Sequence, residues 1–412
     1  MKNLKAQFKL IICLFLFLSI SNNILAKNLD KFSNSRDVKN YFSGVLSISD
    51  NQYEKSYYYL KSLNNLEDSH YAYSQYYQHS LVALSKFSDA VKYSKKLEKK
   101  KIDNFESNLI SAVYYLEDKN FKNALLYLKK LEGKNQPGTI QNLLSTSLNA
   151  WTSFTNTPNL SAGLNNLEKI PERFKNIRDI QKTFAYCYFD SAKADEMFEQ
   201  LTSNSDFSYS RYNFFHSNYL ISKNKLKKAK EVINTSLKKN PRNLILNQLK
   251  LDLENKKLSN NKFDCKNLAH VIAEILYVAS NALALQNNYI VSNFYLNLAK
   301  YLNPNFASFH SLYAENLFFI EEYEVAKTIY IEIKKKGAVY NWYASKQIAS
   351  ILIKQDKKKE AADTLRESFE KISKPTTYEI FDYAEFLKNN EKYKESIKYY
   401  SEVLSLIEIK DA

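Results

Sequence analysis

Residues 314–330 read AENLFFIEEYEVAKTIY, residues 349–365 read ASILIKQDKKKEAADTL, and residues 384–400 read AEFLKNNEKYKESIKYY. The three segments stand 35 residues apart, and each opens on an alanine, Ala314, Ala349 or Ala384. A leucine follows three residues later, Leu317, Leu352 or Leu387. Twelve residues after the alanine comes a second small residue, Ala326, Ala361 or Ser396, and four further on a large one, Tyr330, Leu365 or Tyr400. Residues three and four apart share one helix face. Small residues let two helices cross at the usual axial distance of about 8–10 Å, and the large ones fill the flanking space. A unit of this kind cannot bury its apolar face alone and stacks on its neighbour. The pattern predicts an all-α chain of antiparallel helix pairs.

A period near 34 residues with this layout resembles the tetratricopeptide repeat. The resemblance implies a right-handed superhelical solenoid. It extends over nearly the whole chain. Gly44, Gln78 and Ala112 are spaced by 34, and Ser56, Ala90 and Ala124 follow each by twelve. Gln78 is large for its position and is expected to splay its unit. The middle is looser: Trp151, Phe154, Gly163 and Leu167 keep the offsets with unusual residues. Only nine residues separate Ala185 from Ala194, which suggests a shortened turn. Residues 244–258 read as a single amphipathic helix. The expected organisation is a signal peptide over 1–26, regular repeats over 27–133, degenerate repeats over 134–272 and regular repeats over 273–412. The passage carrying Leu298, Ala299, Leu302 and Pro304 is similar to exported tetratricopeptide proteins of alphaproteobacteria.

Proline placement tests the register independently, because a proline inside a helix costs about 3 kcal/mol. Pro137, Pro241, Pro304 and Pro375 fall between units, Pro158 in a turn and Pro171 just after a helix.

Lys2, Lys5 and Lys9 precede an apolar run over 10–20 and a short polar stretch ending at Ala26. This is the layout of a secretory signal cleaved after Ala26. In a Gram-negative bacterium the destination is the periplasm. The formal charge is +15, and export argues against nucleic acid as the partner. The lysine runs at 99–101, 227–228, 334–336 and 357–359 fall at expected helix ends, where cations complement a C-terminal dipole. Cys187 and Cys265 lie 78 residues apart, a spacing that leaves their pairing open.

The chain has five histidines and five glycines, with no metal-ligand spacing, phosphate loop or nucleophile elbow among them. Catalytic residues, cofactor and metal are accordingly expected to be absent. What the resemblance implies instead is a concave groove lined by positions 2, 5, 9 and 12 of each first helix. The candidates are Glu315, Phe318, Tyr343, Lys346, Tyr378, Phe381 and Glu385, a mixture of aromatics and both charges of the kind binding hot spots use. The expected role is a periplasmic scaffold holding a peptide or partner protein on that face. The alternative is a helical accessory to machinery acting on the cell wall. Val403, Leu404 and Ile407 crowd the last helix, which is expected to dock on a partner or a second copy.

Overall fold

The computed structural model describes residues 32, 34–63, 66–131, 139–156, 159–203, 210–257 and 263–411. The expected signal segment, Pro137 and Pro158 lie outside them. Among the described residues there is no strand. The described helices form ten consecutive pairs, from Ser35–Ser49 with Tyr53–Lys61 to Thr377–Asn389 with Tyr393–Asp411, plus one unpaired helix, Leu244–Glu254. The molecule divides into two compact units, Met1–Ser111 and Ala112–Ala412.

The intra-pair turn explains the recurring leucine. In seven pairs the turn has three residues, and the central one adopts a left-handed conformation: Asn51, Ser85, Lys119, Asn224, Glu321, Asp356 and Glu391. The next residue donates its backbone N–H back to the carbonyl five positions earlier. Thus Glu322 bonds Leu317 at 2.9 Å, Lys357 bonds Leu352 at 2.8 Å and Lys392 bonds Leu387 at 2.9 Å. This is the six-to-one bond of a Schellman ending, which satisfies an otherwise orphaned carbonyl. The leucine side chain meanwhile goes into the core: Leu317, Leu352 and Leu387 are each 2% exposed.

Small residues do mark the crossings. Ala314, Ala326, Ala361 and Ala384 are wholly buried. Ser396 Oγ donates to the Ala384 carbonyl at 2.9 Å, and Ser292 Oγ to the Ser280 carbonyl at 2.9 Å, so at the twelve-residue offset the two helices touch directly. Where large residues replace small ones, the partner shrinks. Trp151 and Phe154 are buried in one helix, and a Cβ on Gly163 of the next would lie 1.5 Å from the Phe154 ring. Gln78 is likewise fully buried, with Nε2 3.5 Å from Ser94 Oγ.

Three local expectations need correction. The turn between Lys175–Tyr188 and Ala194–Ser203 is five residues, longer than its neighbours rather than shorter. The two alanines come close in sequence because Ala194 opens its helix instead of lying a turn inside it. The expected 244–258 helix ends at Glu254, where Lys256 turns left-handed at φ 52°. Of the lysine runs, 227–228 and 357–359 sit at helix starts, so they do not complement C-terminal dipoles. Lys228 is held instead by Asp195 at 2.7 Å and Glu199 at 2.8 Å.

Cys187 and Cys265 form a disulfide, with Cα atoms 5.9 Å apart. It pins the segment after the unpaired helix to Lys175–Tyr188, assisted by Phe263, whose ring stacks on Phe215 at 4.2 Å and lies 4.8 Å from Phe184. In the last helix Val403 is 8% exposed and belongs to the core, contrary to its expected place on a docking face. Leu404 and Ile407 are exposed, at 59% and 46%.

Candidate functional site

The unpaired helix Leu244–Glu254 positions the site. Its apolar residues Ile245, Leu246 and Leu249 are buried, and it packs against the first helix Ala338–Lys354 of a unit far along the chain. That helix begins one turn earlier than the 35-residue register requires, at Gly337 with φ 149° and ψ 171°. Only glycine adopts such a conformation readily. A Cβ there would also lie 2.3 Å from the side chain of Gln248. The close approach lets Gln248 Oε1 accept from the Val339 backbone N–H at 3.0 Å, capping one of the helix's orphan donors. Gln248 Nε2 donates in turn to Asp252 Oδ1 at 2.6 Å.

Between this helix and the first helices Ala338–Lys354 and Thr377–Asn389 lies a cleft of about 630 Å³. Its apolar lining includes Leu244, Leu251, Val339, Trp342 and Ile372. Its charged lining is Arg242, Lys250, Lys346, Lys371 and Lys374 against Glu254, Glu379 and Asp382. Two of those carboxylates are already engaged by the chain. Asp382 Oδ1 accepts from Arg242 at 2.6 Å and Oδ2 from Lys346 at 2.5 Å. Glu379 Oε2 accepts from the Thr376 backbone N–H at 2.7 Å, completing a capping box. Arg242 also lies over the Tyr378 ring at 5.1 Å. The Trp342 indole N–H is buried beside the cleft, and no hydrogen-bond acceptor meets it among the described residues.

From the cleft a polar ribbon continues along the first helices of preceding pairs. Tyr343 OH donates to Glu315 Oε1 at 2.6 Å. Burial raises the Glu315 carboxyl above its usual range and raises the Tyr343 phenol further. Beyond them Arg211 makes a two-point pair with Glu274, Nε–Oε1 2.7 Å and NH2–Oε2 2.6 Å. Its guanidinium lies 4.0 Å over Tyr277 and 5.1 Å over Phe306. Burial pushes the Glu274 carboxyl up, and the guanidinium opposes that push.

Of the seven groove candidates, Tyr343, Lys346 and Tyr378 line the cleft, and Glu315 joins through Tyr343. The other three turn toward their own pairs. Phe318 packs edge-on against Tyr323 at 5.7 Å and Phe381 against Tyr400 at 5.8 Å. Glu385 accepts from Lys388 at 2.8 Å and from the Tyr400 hydroxyl. Arg242, Gln248, Trp342 and Asp382 were not among the candidates. One signal was present in the sequence: Gly337, one of five glycines, stands just before a helix where nothing in the repeat asks for one.

No family model matches the chain, and no curated protein matches it. Among solved structures it is similar to the Cut9–Hcn1 hetero-tetramer of the APC/C, at 13% identity over 92% of this chain and 81% of that one, TM-score 0.30. It is also similar to Naa15/Naa10 bound to HypK-THB, at 13% identity over 94% and 69%, TM-score 0.32. The human IFIT1 dimer with m7Gppp-AAAA is a third neighbour, at 13% identity over 92% and 93%, TM-score 0.26. Likenesses of this size carry no argument, and the architecture rests on the helix pairs and turns of the chain itself. Among the described residues, no group of three or more His, Cys, Asp or Glu is placed to hold a metal ion. No described helix is long and apolar enough to cross a membrane.

Proposed function

We propose that the protein is an exported binding scaffold that holds a peptide segment of a partner protein in the cleft beside Leu244–Glu254. The observation that carries this reading is the cleft itself: it combines an apolar floor with Tyr378, 43% exposed, and an excess of lysines at its edge. Clefts of roughly 300–1,000 Å³ are large enough to enclose several side chains. Export to an oxidising compartment is supported by the Cys187–Cys265 disulfide, because such bonds persist outside the reducing cytosol. In a Gram-negative cell that compartment is the periplasm.

The test is site-specific crosslinking in the cell. A photo-reactive phenylalanine at Tyr378 is expected to trap a discrete partner band. The same probe at Ile331, exposed on a second helix, is expected to trap none. Equal capture at both positions, or none at Tyr378, overturns the assignment.

A further inference from the structure

Within the polar ribbon one carboxylate is left without a cation. Arg211 neutralises Glu274, and Arg242 with Lys346 neutralises Asp382. Among the described residues Glu315 has no ion pair; its bond is to the neutral Tyr343 hydroxyl. Around that hydroxyl lie two further oxygens, Ser311 Oγ and Tyr330 OH. Both are buried, Ser311 at 7% and Tyr330 at 0% exposure, and both lie against the Tyr343 hydroxyl, outside the geometry of a full hydrogen bond. Buried polar groups are rarely left unsatisfied, because each costs about 1–3 kcal/mol. Glu315 and Tyr343 themselves stay partly open to solvent.

We propose that Glu315, Ser311, Tyr330 and Tyr343 form a subsite for a lysine side chain of the bound partner segment; this rests on the scaffold reading above. A carboxylate and several hydroxyl oxygens gathered at one place suit the three donors of an ammonium better than the flat fork of a guanidinium. The deep placement of Tyr330 and Ser311 requires a thin stem, which the four methylenes of lysine supply and a chain terminus does not. The Tyr343 ring, 6.1 Å edge-on from Tyr330, offers the stem an apolar wall. Burial holds the Glu315 carboxyl up while the subsite is empty. An arriving cation favours the ionised form and so draws the carboxyl back down.

The test uses an array of terminally capped 15-residue peptides of random sequence probed with the mature chain. Peptides that bind are resynthesised with each lysine replaced by norleucine, and separately by arginine. The expected result is that norleucine at one position weakens binding at least tenfold and arginine weakens it less. Glu315→Gln should abolish the lysine–norleucine difference without abolishing binding, and Tyr343→Phe should reduce it. Circular dichroism melts of both variants check that they fold. Bound peptides with no lysine dependence, or a dependence that survives Glu315→Gln, overturn the subsite and leave the scaffold reading intact. An array that binds nothing overturns both.

Discussion

Gln248 Oε1 accepts the backbone N–H of Val339 at 3.0 Å, across 91 residues of sequence. The bond joins Leu244–Glu254, the described helix outside the pairing scheme, to the N-terminus of a helix within it. Gly337 is what permits the contact, since its φ of 149° and the 2.3 Å left to Gln248 both exclude a side chain. Gly337→Ala is expected to destabilise the chain by about 2–4 kcal/mol, combining backbone strain with overpacking. Gln248→Ala in the same background should recover part of that loss, because the clash disappears with the side chain. Urea midpoints of the two single variants and the double variant measure this; strictly additive losses would show that the two residues do not meet.

The left-handed turn residues carry a cost that glycine lacks. An L-residue in this region pays about 1–2 kcal/mol, against about 0.5–1 kcal/mol of extra chain entropy for glycine. Glu391, at φ 63° and exposed, is a clean case. Glu391→Gly should therefore raise stability by about 0.5–1 kcal/mol. A lowered denaturation midpoint would contradict the turn geometry.

The disulfide closes a loop of 78 residues. Constraint of the unfolded chain alone gives it a stabilising effect of as much as about 4 kcal/mol. Dithiothreitol is expected to lower the thermal midpoint of the native chain. The double variant Cys187→Ala, Cys265→Ala should melt at the lower temperature and show no further response to reductant.

Among the described residues no carboxylate pairs with Lys300; its Nζ lies 4.2 Å over the Tyr313 ring and 3.2 Å from Asn297 Oδ1. Burial lowers its pKa from 10.5 to about 8. The folded state then releases its proton before the unfolded state does. Between about pH 8 and 10.5 the unfolded chain holds more protons, so this residue makes stability rise with pH across that window and penalises the fold below it. Lys300→Met should be more stable by about 1–3 kcal/mol at pH 7, an advantage that fades as the pH passes 10. Parallel urea titrations at pH 7 and pH 10.5 compare the two proteins, and an advantage unchanged with pH would refute the assignment.

The helix pairs were legible in the sequence because their causes are local. A leucine three residues after a small one and a small residue at most crossings act within one 35-residue period, and Pro241, Pro304 and Pro375 stand at joints between helices. Each can be read without knowing what lies elsewhere in the chain. Position along a first helix singles out seven candidates; Tyr343, Lys346 and Tyr378 line the cleft, whereas Phe318, Phe381 and Glu385 turn to neighbours within their own pairs.

Local reading could not reveal which residues meet across units. Asp382 between Arg242 and Lys346, Gln248 beneath Gly337, Arg211 against Glu274 at a separation of 63 residues and the pairing of Cys187 with Cys265 are set by how the stack of Ala112–Ala412 turns. Small rotations at each interface add along a stack, and no periodicity in the sequence reports their sum. The sequence by itself determined the repeat and its pairing of helices. The tertiary structure alone decided that the unpaired helix Leu244–Glu254 would form the wall of the cleft, and that Glu315 would bond Tyr343 and meet no cation among the described residues. Both follow from distances between distant segments, which the accumulated packing of Ala112–Ala412 sets.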